Sequence, residues 1–283
     1  MTMFIHLNGQ LVPEDRAVVS VFDRGFLYGD GLFETLRVAN GRPFRWAQHL
    51  ERLQRGADFL KIKLPFAPAA LREFAAELIA KNALPDSLLR LTLSRGVGPR
   101  GYSPKGAASP TLVMTLHPAP GAPASVVPGW KLVTSSLRLP AGDPLARFKT
   151  ANKLAQVLAR AEADAANADE ALLLDTDGHV AEAATGNLFW IERGVVCTPP
   201  LTAGILPGVT RAVVFEISQK LGLPVRETHA LPAQLRVAEG VVVSLSSLGV
   251  VAVAALDGMR LQASPEVEKL RLAYAALVAA ECA

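Results

Sequence analysis

Four stretches of this 283-residue chain carry residue types that can do chemistry together. Lys149 stands in Arg147-Phe148-Lys149-Thr150, between a strand-like run and an apolar helical run. A desolvated amine there has its pKa lowered and can act as nucleophile and base, while a solvated surface lysine is the plain alternative. Glu182 lies in VAEAATGNLFW, which is otherwise apolar or small, so its carboxylate meets either solvent at a turn or a buried cationic partner. Gly208-Val209-Thr210 follows Pro207 at the head of a helical run. Such a start binds phosphate through backbone N–H groups and the helix dipole, or is simply an ordinary helix cap. Arg52, in HLERL, can clamp a phosphate or pair with a nearby acid such as Glu51 or Asp58. A reactive amine, a carboxylate for a protonated pyridine nitrogen and an anion-binding helix start with an arginine are together the parts that bind pyridoxal 5'-phosphate (PLP).

Other chemistries have less support. Gly96-Val97-Gly98-Pro99-Arg100-Gly101 fits G-x-G-x-x-G, but a dinucleotide site needs that turn to open a helix, and Tyr102-Ser103-Pro104 prevents one. A hairpin loop accounts for it. Neither a Walker A sequence, nor His-Glu-x-x-His, nor Gly-x-Ser-x-Gly occurs, and His6, His49, His117, His179 and His229 are scattered singly. No metal site is expected from them.

The elements that must position these residues follow from turns and periodicity. Asn8-Gly9 and Asn40-Gly41 each join strand-like runs, so two hairpins open the chain. Leu50, Leu53, Ala57 and Leu60 fall at helical spacing, and 71–84 is a second amphipathic helix. SLLRLTLSRG and 111–117 read as strands, giving an α+β first part around an antiparallel sheet. Residues 118–129, rich in proline and glycine, have the composition of a linker between a smaller domain (1–117) and a larger one (130–283). In the latter, WKLVTSSLRL is a strand, and Leu154, Val157, Leu158 and Ala161 form one apolar helical stripe. EALLLDTDGHVAEAATGNLFWIERGVVCTPP reads as three strands with turns at Asp177-Gly178 and Arg193-Gly194, and 209–223 is a helix.

Composition sets outer limits. Half the residues are hydrophobic, 19% are charged and mean hydropathy is +0.27, which excludes disorder and demands a large core or an oligomer interface. A net charge of +3 without a run of like charges lacks the footprint of a nucleic-acid binder. The uncharged stretch GVVVSLSSLGVVAVAAL, with its serines and glycines, reads as strand, turn, strand rather than a membrane span. MTMFIHLNGQLVPEDR has no basic n-region and no apolar run of signal length, so secretion is not expected. Cys197 and Cys282 form neither a disulfide framework nor a zinc motif, and a cytoplasmic setting is expected.

From NGQLVPEDRAVVSVFDRGFLYGDGLFETLRV through HLERL and FKTANKL to EALLLDTDGHVAEAATGNLFWIERGVVCTPPLTAGILPGVTR, the sequence resembles the fold-type IV PLP enzymes. This class IV aminotransferase superfamily includes branched-chain aminotransferases, D-amino-acid aminotransferases and 4-amino-4-deoxychorismate lyases. The resemblance implies an α/β (α+β) two-domain fold of the D-amino-acid aminotransferase-like type, with mixed sheets and packed helices and PLP between the domains, in a homodimer. It implies that Lys149 forms the Schiff base and moves the proton, and that Glu182 pairs with the pyridine nitrogen. Arg52, Val209, Thr210 and Ser246 are implied to hold the phosphate. Thr35, Arg100, Tyr102 and Ser247 are implied to face a small-molecule amino substrate. The tyrosine that branched-chain enzymes carry after their catalytic lysine is not found in KTANKL, where Lys153 or Leu154 stands. RGVGPRGYSP and GDGLFET are most similar to the lyases, although the lyases' Asn-Ser-Leu or Asn-Ala-Leu loop is replaced by Ser246-Ser247-Leu248-Gly249. The expected activity is therefore lysis of aminodeoxychorismate to p-aminobenzoate and pyruvate, in folate synthesis. A class IV aminotransferase for D-amino acids, branched-chain amino acids or amines, passing the amino group to a 2-oxo acid, is the alternative, and a non-catalytic binding protein of this fold a remote one.

Overall fold

The structure, a computed structural model, describes residues 2–120 and 129–283. Most of the expected linker, residues 121–128, lies outside the described residues. The chain divides into two compact units, each described by itself.

The first unit comprises Met1–Pro120 together with Phe148–Asn152 and Val278–Ala283. Its strands are β1 (Phe4–Leu7), β2 (Gln10–Pro13), β3 (Gly31–Ala39), β4 (Arg42–Pro43), β5 (Ser87–Ser94) and β6 (Thr111–Pro118). They form one antiparallel sheet in the order β2-β1-β6-β5-β3-β4. Asn8 and Gly9, and Asn40 and Gly41, all take positive φ, the geometry that two-residue hairpins require. Helices α1 (Arg24–Tyr28), α2 (Trp46–Leu60) and α3 (Pro68–Asn82) complete the unit. Leu32, Leu36 and Val38 of β3 alternate onto one sheet face and pack with Leu53 and Ala57 of α2 and with Leu71, Ala75 and Leu78 of α3.

The second unit comprises Gly121–Arg147 and Lys153–Leu277. Its elements are β7 (Trp130–Leu139), α4 (Leu154–Ala165), β8 (Glu170–Asp175), β9 (Val180–Ala183), β10 (Asn187–Glu192), β11 (Val195–Thr198), α5 (Val209–Lys220), β12 (Val225–Glu227), α6 (Pro232–Arg236), β13 (Gly240–Leu245), β14 (Gly249–Leu256) and β15 (Met259–Arg260). A last helix, α7 (Pro265–Glu281), begins here, and its end counts with the first unit. The sheet runs β12-β11-β10-β13-β14-β7-β8-β9, with parallel pairs at β14–β7, β7–β8 and β11–β12. One further pair, Asn187 with Glu182, joins β10 to β9 and closes six of these strands into a ring. The near-continuous apolar runs of β8, β10 and β13 follow from burial on both faces.

Two features differ from expectation. The expected boundary puts Lys149 with the larger domain, whereas residues 148–152 count with the first unit because their backbone pairs with β3. The apolar stripe of α4 does not face the core: Leu154 is 71% and Val157 60% exposed, and the helix packs instead through Ala159 and Ala163.

Candidate active site

In the first unit, the lysine is held by main chain. Phe33 N–H donates to the Lys149 carbonyl at 2.9 Å, Ala151 N–H donates to the Gly31 carbonyl at 2.9 Å, and Leu32 pairs with Thr150. Gly31 must be glycine here, since a Cβ would lie 2.5 Å from the Leu93 carbonyl oxygen. The Lys149 ammonium sits 4.6 Å from the centre of the Phe33 ring, and the Arg90 guanidinium 4.0 Å from the same ring. Phe33 and Thr35 lie on the sheet face opposite Leu32, Glu34 and Leu36, and Thr35 pairs in register with Arg90.

Behind that face is a buried charge cluster. Arg52 donates from Nε to Glu34 Oε1 at 2.8 Å and from Nη2 to Glu34 Oε2 at 2.6 Å, while His49 Nδ1 lies 2.7 Å from Oε2. Burial alone would raise the Glu34 carboxyl, but the Arg52 charge and the hydrogen bonds from Arg52 and His49 bring it down to about 2. Burial, with the positive charges of Arg52 and Lys149, lowers the His49 pKa against the pull of Glu34. His49 is therefore a neutral donor to a carboxylate at neutral pH. The acids expected beside Arg52 are engaged elsewhere: Glu51 with Arg55, and Asp58 with Gln54.

In the second unit, the closing pair of the strand ring carries the other key groups. Glu182 Oε2 accepts from Leu206 N–H at 3.0 Å and from Asn187 Nδ2 at 3.4 Å, and Asn187 Nδ2 also donates to the Leu206 carbonyl at 2.8 Å. Next to Leu206 the chain turns through Gly208 into α5, whose first turn has no side-chain cap among the described residues. Thr210 Oγ1 lies 3.4 Å from Ser246 Oγ, in the turn between β13 and β14 that also holds Ser247. The structure thus gathers Val209, Thr210 and Ser246, with Ser247 adjacent in sequence, and sets Glu182 near the same helix start.

Arg100 and Tyr102 lie in a loop whose backbone is anchored to α1. Both are exposed, Tyr102 to 87%, because Arg24 of α1 takes the Gly101 and Tyr102 carbonyls and Tyr28 receives Gly101 N–H. Backbone anchoring fixes the loop and leaves these side chains outward. The sequence reading passed over Phe33, Glu34, His49, Arg90 and Asn187. Strand alternation in GLFETLRV is the signal that could have found Glu34, an acid on the apolar face.

The family model for amino-transferase class IV matches residues 31–256. The chain belongs to the class IV aminotransferases. A Methanocaldococcus jannaschii protein assigned as a branched-chain-amino-acid aminotransferase is 37% identical over 90% of this chain and 88% of its own length. The Bacillus subtilis aminodeoxychorismate lyase is 32% identical, covering 78% of this chain and 76% of the lyase. Among solved structures, the T.th. branched-chain amino acid aminotransferase with pyridoxamine 5'-phosphate superposes with a TM-score of 0.92 at 30% identity, covering 98% of this chain and 94% of that one.

Class IV aminotransferases are fold-type IV enzymes that use PLP. The residues present in this class IV aminotransferase fit that cofactor. The donor set of the second unit is chemically apt: a carboxylate fixed by two donors and a helix start without a side-chain cap beside two hydroxyls. Glycine is required at position 208 for the chain to pass Asn187, since a Cβ there would lie 2.1 Å from Asn187 Oδ1.

Proposed function

We propose that this class IV aminotransferase transfers the amino group of a carboxylate-bearing amino acid to a 2-oxo acid. The observation that carries this reading is the placement of Arg90 and Lys149 against one ring, Phe33, so that a carboxylate-binding cation stands beside the reactive amine. Bound PLP supplies an aldehyde for the substrate amine and a ring that takes up electrons from the amino-bearing carbon. Lys149 would hold the cofactor covalently through its amine and would serve as the base that moves the proton at that carbon. Glu182, oriented by Leu206 N–H and Asn187, keeps a proton on the pyridine nitrogen. The N–H groups of Val209 and Thr210 and the hydroxyl of Ser246 bind the phosphate. Arg52 adds its charge to that task as a guanidinium already oriented by Glu34. Thr35 and Ser247 bound the substrate side.

A second reading, aminodeoxychorismate lysis to p-aminobenzoate and pyruvate, is favoured by the similarity to the Bacillus subtilis lyase. It uses the same cofactor residues and differs in what leaves the carbon. Its substrate contacts would fall to Arg100 and Tyr102, whose side chains are exposed within the single chain. We also infer a homodimer in the cytoplasm. Exposed apolar residues support the first inference; two buried, unbridged cysteines and the lack of a membrane-crossing helix among the described residues support the second.

With PLP, the purified chain should show a visible or near-ultraviolet band that borohydride abolishes and that Lys149→Ala lacks. A colourless protein defeats the cofactor assignment, and an adduct retained in Lys149→Ala moves the Schiff base to another lysine, Lys153 first. Amino acids with 2-oxoglutarate, and aminodeoxychorismate separately, should then be assayed for glutamate, pyruvate and p-aminobenzoate. Glutamate without p-aminobenzoate is the expected result, and the reverse selects the lyase.

A further inference from the structure

The histidines scattered in the sequence do not all stay apart. His179, in the β8–β9 turn, and His229, after β12, bring their rings to 4.9 Å between centroids. The backbone sets this up: Val180 N–H donates to the Ala230 carbonyl at 2.8 Å, so the residues just before each partner become neighbours. Asp175 completes the group, and one donor atom from each of the three residues lies within 4.8 Å of the other two.

The carboxylate of Asp175 is divided in its duties. Oδ1 caps the turn, accepting from Asp177 N–H at 3.0 Å and His179 N–H at 2.8 Å. Oδ2 is buried, in a residue only 1% exposed, and no hydrogen-bond partner reaches it among the described residues. The same holds for His179 Nδ1, which faces that oxygen from 3.6 Å. A buried carboxylate oxygen and a buried ring nitrogen pointed at each other, both without hydrogen bonds, are costly unless something lies between them.

We propose that Asp175 Oδ2, His179 Nδ1 and a ring nitrogen of His229 bind a divalent late first-row metal ion, zinc by the chemistry of the set. Ligand bonds of about 2.0–2.1 Å in a tetrahedral site put neighbouring donors roughly 3.3 Å apart. The Asp175–His179 spacing is already close to that value, and the exposed His229 side chain has room to rotate inward. Two imidazoles and one carboxylate suit zinc rather than magnesium or calcium, and leave a fourth position for water. The ion would tie the β8–β9 turn to the segment after β12, at the start of the strand that carries Glu182. The site is independent of the PLP reading.

Titration of the purified holoenzyme with Zn2+ alone, followed by calorimetry, tests this, with Co2+ difference spectra as an independent readout. One ion per chain, tetrahedral Co2+ bands and a raised Tm are expected. His229→Ala removes an exposed ligand without disturbing the core, and Asp175→Asn retains the turn-capping oxygen. Each should weaken binding at least about tenfold. Zn2+ affinity unchanged by His229→Ala, or less than one ion bound per chain, overturns the proposal whether or not Asp175→Asn folds.

Discussion

At the scale of single residues, this enzyme separates holding from reacting. The backbone of Lys149 is placed by its own carbonyl and by Ala151 N–H, contacts that a change of side chain leaves in place. Lys149→Ala is accordingly expected to fold with a Tm close to that of the parent while losing the borohydride-sensitive band; circular dichroism and absorption check the two halves. Glu182 acts through a charge that two donors aim. Glu182→Gln should still bind PLP but lower kcat by at least a hundredfold, roughly the loss seen when one preorganised electrostatic contact is removed. Arg90 was not singled out in the sequence because an arginine in SLLRLTLSRG reads as the polar half of a strand; only the register with Thr35 and the stacking on Phe33 give it a role. Arg90→Met should raise KM for amino acids about tenfold or more while leaving the absorption band in place, and an unchanged KM would remove it from substrate binding.

At the scale of elements, the β3–α2 pairing stores a pH dependence. The folded pKa of Glu34, at about 2, lies below its ordinary value of 4.5, so its contribution to stability is full above 4.5 and is lost as pH falls towards 2. The shift is worth about 3 kcal/mol. His49 acts in the same direction at higher pH: its folded pKa is lowered, so the unfolded chain gains a proton first as pH drops below about 6.5. Urea unfolding should therefore show stability falling below about pH 6.5 and again below about 4.5, with the lower step smaller in Glu34→Gln but not absent, since Asp30 beside Arg95 and Arg24 is also held low. At the α5 start, Gly208→Ala forces its Cβ onto Asn187 and should weaken PLP binding, read by quenching of protein fluorescence. The helices and hairpins were legible in the sequence because periodicity and Asn-Gly turns are local signals. The Glu34–Arg52–His49 cluster was not, since it joins residues of a strand to residues of a helix through packing that no spacing announces. The outward stripe of α4 misled for the converse reason: periodicity reports that a face is apolar, not what covers it.

At the scale of the molecule, apolar surface still needs a partner. Val18, Val21, Phe22 and Phe26 are each at least 60% exposed around α1, as are Leu154 and Val157 on α4. Such exposure on a monomer is unusual, and a stable interface needs roughly 1,200–2,000 Å². Light scattering after size exclusion should give twice the chain mass, and Phe22→Asp with Phe26→Asp should shift it towards the monomer. A wild-type monomer would refute the homodimer. The domain layout was only partly legible, because Lys149 follows residues of one unit in sequence yet pairs with the other. The excursion of residues 148–152 has a consequence for descent. Neither unit is a contiguous cassette, and a recombination joint placed in the proline-rich stretch would inherit β3 from one parent and its lysine from another. Lys149 and the strand its backbone pairs with must therefore travel together.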